Sequence, residues 1–529
     1  MKRFLLLMTA LVAACLLWAQ KEPEAIRKLK LATYAIDRFY VDTVNQNKLV
    51  EDAIIGMLGK LDPHSTYMNP REVKEMNEPL QGNFDGIGIQ FNMLNDTLFV
   101  INTISGGPSE KVGVMAGDRI IAVNDTAIAG VKMSNNDIMK RLRGPKGTSV
   151  YVTVLRRNVK EPIQFRIIRD KIPIYSVDAS YMAAKGVGYI RVSRFAATTY
   201  NEFVDALNKL KKEGMKDLIL DLEGNGGGYL TAAIDIANEF LDSKQLIVYT
   251  EGRMSPREEA FSDSRGHLKK GKLVILIDES SASASEIVTG AMQDLDRGVV
   301  VGRRSFGKGL VQRPVPLPDG SMLRLTIARY YTPSGRSIQK PYVNGVEDYN
   351  KDLINRYNKG ELSNADSIHF PDSLRYKTLY NKRTVFGGGG IMPDYFVPMD
   401  TTRFTDLHRS IIAKGIMNQF VMQYFDENQK TLHSKYKDFK SFEAGYQVSP
   451  SLLADLKAKA IKEGVKWDDA QFDKSSPLLA LQMKALIARD MFSVSDYFKI
   501  INADNDTYNK ALQIIGSDEL YQKLLNTSR

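Results

Sequence analysis

Between Gly188 and Tyr331, short apolar runs (Leu218 to Leu222, Leu273 to Ile277, Val299 to Val301) alternate with amphipathic stretches at Tyr200 to Lys212, Leu230 to Leu241 and Ser285 to Leu295. Uninterrupted apolar runs of this length suit strands covered on both faces, and the 3.6-residue spacing between them suits the covering helices. The rhythm predicts an α/β layered core over 171–340. At 529 residues the chain exceeds what one hydrophobic core supports, so further packed units are expected. Its 43% hydrophobic and 25% charged residues exclude a disordered or membrane-embedded chain.

The flanks differ from this core. Residues 1–20 read Met-Lys-Arg and then the apolar run Phe4 to Trp18, the layout of a secretory signal and short for a bilayer span. Two processing routes stay open: cleavage after Ala19, or a lipoprotein box Val12-Ala13-Ala14-Cys15 whose acylated cysteine would attach the protein to a membrane. Either way the chain is expected to be exported, to a periplasm or its membrane surface. Residues 21–80 carry helical spacing around Leu29, Ala32, Ile36 and Phe39 and again around Val50, Ile54, Leu58 and Leu61, ending in the turn-rich Leu61 to Met68. From 82 to 170 short β-branched runs are separated by Gly, Asn and Asp, which predicts a small β module. Residues 341–400 return to the core after a stretch from Tyr342 to Lys382 with little periodicity, expected to be a partly ordered inserted loop. Residues 401–529 read as amphipathic helices with Lys-rich faces.

Composition narrows the chemistry. Cys15 is the only cysteine, so the mature body has neither a disulfide nor a thiol nucleophile. The five histidines show no nucleophile or metal spacing, so no metal, no cofactor and no Ser-His-Asp triad is expected. The net charge of +10 is spread with both signs interleaved, and no aromatic-basic stripe calls for nucleic acid.

Strand Leu273 to Ile277 leads through Asp278-Glu279-Ser280-Ser281-Ala282 to Ser283-Ala284-Ser285-Glu286 and a helix. Small residues at such a turn admit a substrate backbone, and the unpaired N–H groups of a first helical turn favour an oxyanion. Ser283 as a nucleophile and Ser283 as a mere N-cap, with Glu286 completing a capping box, both fit this stretch taken alone. A second element tips the balance: Val299 to Val301 runs into Gly302-Arg303-Arg304-Ser305-Phe306-Gly307-Lys308-Gly309. A lysine confined in a tight glycine-flanked site can be neutral and serve as a base. The same stretch imitates a phosphate-binding loop, but Gly309 stands where that loop needs a hydroxyl for magnesium. Gln312 could orient the lysine or be an ordinary strand residue, and Gly227 or Gly228 could offer an N–H to an oxyanion opposite Ala284 or simply make a tight turn.

Taken in order, Ser281-Ala-Ser283-Ala-Ser285-Glu286-Ile287, Ser305-Phe306-Gly307-Lys308-Gly309-x-Val311-Gln312 and Leu325 to Gln339 resemble the carboxyl-terminal processing (tail-specific) protease family, with Lys308 25 residues after Ser283. The resemblance implies a multidomain α/β protein with N-terminal helices, a PDZ module, a crotonase-like protease core and a C-terminal helical region. It implies a serine endopeptidase with Ser283 as nucleophile, Lys308 as general base, Gln312 as third member, and oxyanion donors at Ala284 and Gly227 or Gly228. Phe84-Asp85-Gly86-Ile87-Gly88-Ile89 resembles a PDZ carboxylate-binding loop, so Gly86, Ile87, Gly88 and Ile89 are expected to hold a polypeptide's free C-terminal tail. Asp294 falls where some members carry an important acid, a helix-surface role being the alternative, and Arg143 is either an interdomain link or a solvated side chain. Glu223 and Ser280 depart from a common arginine and a common glycine. A non-catalytic PDZ scaffold that binds protein C-termini is the rival reading, a homo-oligomer is left open, and an acyl-CoA enzyme on a crotonase core lacks a nucleotide-binding feature.

Overall fold

The computed structural model describes residues 22–94 and 96–526 and shows a multidomain α/β protein. The expected leader, with Cys15 and Ala19, lies outside the described residues. The chain divides into two compact units.

The first unit holds helices α1 (Glu24–Phe39) and α2 (Gln46–Leu58), strand β1 (Thr66–Met68) and the segment Pro314–Leu325. The N-terminal stretch is not one long helical run: Asp62 accepts hydrogen bonds from the Ser65 N–H (2.9 Å) and hydroxyl (2.5 Å), a turn that feeds β1. β1 pairs antiparallel with Met322 to Arg324.

The second unit opens with α3 (Pro70–Gln81) and the PDZ module: β2 (Asn83–Gly86), β3 (Ile89–Leu94), β4 (Thr97–Thr103), α4 (Pro108–Lys111), β5 (Arg119–Val123), β6 (Thr126–Ala127), α5 (Asn135–Leu142), β7 (Ser149–Leu155), β8 (Ile163–Ile168) and β9 (Asp170–Pro173). Leu98, Val100, Ile120, Val152 and Ile138 form its core.

The protease core follows: β10 (Val177–Ala184), β11 (Val187–Val192), α6 (Thr199–Lys212), β12 (Asp217–Asp221), α7 (Leu230–Asn238), β13 (Leu246–Gly252), β14 (Ser255–Phe261), β15 (Leu273–Ile277), α8 (Ala284–Asp294), β16 (Val299–Gly302), β17 (Leu310–Pro316) and β18 (Met322–Tyr331). Its central sheet has the order β10-β11-β12-β15-β16-β21, parallel from β11 onward, with β21 (Tyr395–Phe396) supplied later in the chain. Alternation divides the strands between two layers. Leu220 and Ile275 pack with Phe203, Ile236 and Val288 of α6 to α8 and with Phe240 just after α7. Ile219, Val274, Leu276 and Val301 face the other way.

The segment after Tyr342 is ordered, contrary to expectation. It forms α9 (Val346–Asn350), α10 (Asp352–Asn358) and the hairpin β19 (Arg375–Lys377) with β20 (Thr384–Phe386). Buried arginines pin it: Arg356 donates to the Arg304 carbonyl (2.7 Å) and Arg383 to Asp296 (2.7 Å). Polar anchors leave no apolar stripe, so periodicity was silent there.

The C-terminal region has helices α11 (Asp406–Ala413), α12 (Ile416–Lys435), α13 (Phe439–Gly445), α14 (Pro450–Lys462), α15 (Asp469–Met491), α16 (Val494–Asn502), α17 (Asp506–Gly516) and α18 (Asp518–Asn526). α11 to α16 share a core around Phe420, Leu456, Leu479 and Ile487. α17 and α18 complete the central sheet's second layer through Tyr508, Ile514, Tyr521 and Leu525, and the Tyr521 hydroxyl donates to the Leu273 carbonyl (3.2 Å). α12 also grips the PDZ sheet. Asp426, only 7% exposed, pairs with Arg119 of β5 (2.7 Å), and its carbonyl accepts from Arg157 (2.8 Å). Phe99, outward-facing between Leu98 and Val100, is outside the PDZ core yet buried. Among the described residues no helix is long and apolar enough to cross a membrane.

Candidate active site

β15 ends at Ile277, and the chain turns through Asp278 to Ala282 before α8 begins. Asp278 Oδ1 accepts the N–H groups of Gly224, Ser280 and Ser281, each at 3.0 Å, which laces the turn after β12 to the turn after β15. Burial pushes the Asp278 carboxyl above its ordinary range. Ser283 stands at the apex with φ 55° and ψ −111°, a left-handed conformation strained for a residue with a side chain. It is half-buried, and its carbonyl accepts from the hydroxyl of the buried Tyr330 (3.2 Å).

Glu286, in the first turn of α8, organises the site. Oε2 accepts the Ser283 N–H (2.8 Å) and the Lys308 N–H (2.9 Å). Oε1 accepts the Ser305 hydroxyl (2.5 Å) and the Gly307 N–H (2.7 Å). Burial raises its carboxyl to about 7, against the lowering effect of these donors. The two amide nitrogens of Ser283 and Lys308 therefore lie no further apart than their distances to one oxygen allow. The capping-box reading of Glu286 describes half of its work; the other half secures the lysine loop. The amides that imitate a phosphate cradle are thus already committed to a carboxylate.

Lys308 is half-buried between β16 and β17. Gln312 lies on β17, and its amide nitrogen donates to Thr326 Oγ1 of β18 (3.4 Å). Gly227, φ 102°, lies against Ser283: a Cβ there would stand 2.8 Å from Ser283 Cβ and 3.0 Å from the Ala284 nitrogen. Ala284 is the first residue of α8, where a backbone N–H has no partner within the helix.

Asp294, at the far end of α8, is not on a helix surface. It is fully buried, pairs with the equally buried Arg336 (2.7 Å), and accepts from the Thr332 hydroxyl and the Ser334 N–H (3.0 Å).

In the PDZ module, Gly86 closes β2, and the buried Ile87 passes its carbonyl to the Ser109 N–H (3.0 Å) and hydroxyl (2.6 Å). Gly88 follows with φ 75°, and Ile89 opens β3. Ile87, Gly88 and Ile89 wall one side of a groove of about 420 Å³, with Met139, Leu142 and Arg143 on the other, and Gly86 lies outside its lining. Arg143 is not simply solvated: it pairs with Glu78 of α3 (2.6 Å) and lies over the Phe84 ring at 4.4 Å. Among the described residues no cluster of His, Cys, Asp or Glu could hold a metal ion.

Sequence reasoning missed two buried residues, Tyr330 and Asn225. Asn225 stands three residues before Gly228, and only its place ahead of the glycines marked it.

A PDZ module ahead of an α/β core with a strained serine turn defines the class as a serine-type peptidase. Family models match accordingly: peptidase family S41 over residues 186–348, a PDZ domain over 86–168, the N-terminal domain of the activating protease CtpB over 16–72, and a family of unknown function over 407–493. The carboxy-terminal-processing protease of Bartonella bacilliformis is 40% identical over 305 residues, 57% of this chain and 69% of that protein. The carboxy-terminal processing protease CtpB of Bacillus subtilis is 37% identical over 335 residues, 63% of this chain and 69% of that protein. Among solved structures, the photosystem II D1 C-terminal processing protease aligns over 58% of this chain and 88% of its own, at 31% identity and a TM-score of 0.34. The chain belongs to the C-terminal processing proteases of peptidase family S41.

Proposed function

We propose that this protein is a PDZ-gated serine endopeptidase that cuts exported proteins at or near unstructured C-terminal tails through an acyl-enzyme. Neutral Lys308 takes the Ser283 proton as the hydroxyl adds to the scissile carbonyl. The resulting oxyanion is met by the N–H groups of Ala284 and of Gly227 or Gly228, and the lysine returns its proton to the leaving amine. Water, deprotonated by the same amine, then releases the acyl group. Gln312 orients the lysine. A tail adds to β3 as an extra strand, its carboxylate held by the loop from Gly86 to Ile89, and gating follows from movement of this module.

The observation that carries the reading is the single Glu286 oxygen on which the amides of Ser283 and Lys308 meet. Export is supported by the charged and then apolar start of the sequence. The test is turnover of an unstructured tailed polypeptide by wild type, Ser283→Ala and Lys308→Ala. Cleavage by wild type alone supports the reading, whereas tail binding without cleavage by any of the three favours a scaffold. N-terminal sequencing of the mature protein tests export.

A further inference from the structure

We propose that Asn225 is a positioning residue that builds the oxyanion hole, fixing Gly228 as the donor opposite Ala284; this rests on the serine peptidase reading. Asn225 is fully buried and every polar group of its side chain is used. Oδ1 accepts the Gly227 N–H (2.8 Å), and Nδ2 donates to the Val192 carbonyl at the end of β11 (2.8 Å). Its backbone carbonyl accepts the Ala282 N–H (2.9 Å) and the Ser285 hydroxyl (2.8 Å), one on each side of the nucleophile. One residue thus joins three consecutive strand ends, those of β11, β12 and β15.

The consequence for the glycines follows from direction. The Gly227 N–H is occupied by the Asn225 side chain, so it is unavailable to an oxyanion. Phe195, beyond β11, donates to the Gly227 carbonyl (2.9 Å) and accepts from the Tyr229 N–H (2.8 Å), a parallel bridge centred on Gly228. In such a bridge the flanked residue turns its own N–H to the opposite side. β12 lies between β11 and β15 in the sheet, so the side opposite Phe195 is the side of Ser283. Only glycine fits there, since a Cβ on Gly228 would lie 2.0 Å from the Phe195 carbonyl oxygen. Without Asn225, the Gly226–Gly227 peptide loses the bond that fixes it, and the turn that aims the Gly228 N–H is held only by the bridge to Phe195.

The test uses the full-length protein as wild type, Asn225→Ala, Asn225→Asp and Ser283→Ala. It measures kcat and KM on an unstructured tailed polypeptide, affinity for a peptide aldehyde, which adds the serine hydroxyl across its C=O, and affinity for a tail peptide by fluorescence anisotropy. Asn225→Ala is expected to lower kcat on the order of 10²-fold, as loss of one oxyanion donor does, with KM within about twofold. Aldehyde affinity should fall by a similar factor while tail affinity is unchanged. Asn225→Asp, nearly the same shape, sets a carboxylate oxygen against the Val192 carbonyl, and the repulsion turns the side chain away from Gly227; it should lose kcat in the same pattern and carries the test if the alanine variant does not fold. Unchanged kcat in both variants, or a loss shared equally by tail affinity, overturns the proposal. Cleavage by Ser283→Ala would instead sink the serine peptidase reading, whatever Asn225 does.

Discussion

The backbone N–H groups of Ser283 and Lys308, 25 residues apart in the chain, end on the same oxygen of Glu286. The side chains proposed to exchange a proton are therefore carried by two turns with a common anchor. Placement of this kind limits the search that a nucleophile and its base would otherwise make.

Glu286 should reveal itself by opposite pH trends. Burial holds its carboxyl at about 7, so between the ordinary carboxylate range and 7 the folded protein keeps a proton that the unfolded chain has lost. The stability it contributes is greatest on the acid side and is lost as pH rises through 7. The clamp on four donors needs the ionised form, so turnover should fall as pH drops below 7. Thermal melts of wild type and Glu286→Gln from about pH 5 to about pH 8 should show wild type losing ground to the variant as pH rises. The variant, with one acceptor oxygen in place of two, should turn over on the order of 10²-fold slower.

Lys308→Arg should abolish turnover while leaving the melting temperature close to wild type. Arginine is of similar length but does not give up its proton in a protein, so it cannot act as a base. A kcat loss of at least ~10³-fold in a folded protein is the expected result.

Asp294→Asn tests a structural charge. Asp294 and Arg336 are both fully buried, and neutralising one leaves a guanidinium without its counter-ion. The expected cost is ~3 kcal/mol or more of stability, read by denaturant melts, with catalysis of the surviving folded fraction little altered.

Asp426→Ala should loosen the PDZ module from α12. Arg119 and Arg157 both depend on that residue, the first on its carboxylate and the second on its carbonyl, so one bond is lost and one kept. Hydrogen exchange should quicken in β4 and β5, where Phe99 and Arg119 lie, and leave β15 unchanged.

How much of this was legible depended on where each element finds its partners. β12, β15 and β16 were readable because burial on both faces leaves an unbroken apolar run. β14, with Arg257, Glu258 and Glu259 exposed, carries no such signal and is a strand only because β13 lies beside it. β1 was read only as part of a turn-rich stretch because its partner, Met322 to Arg324, lies far along the chain. The serine and the lysine could be found from their loops. Asn225 could not be given a task, since its meaning resides in Val192, Gly227, Ala282 and Ser285, and three of those four lie outside its own turn.

The helices from Val494 to Asn526 bear on how this protein can be taken apart. The stretch that matches the peptidase family ends at residue 348, yet Tyr189, Ile219, Val274 and Val301 are sealed by side chains near the other end of the sequence. A catalytic fragment trimmed to the family boundary would start life with an oily flank open to water and would clump or unravel before it met a substrate. Shortened versions for crystallisation or grafting should discard other parts first and keep that closing stretch attached.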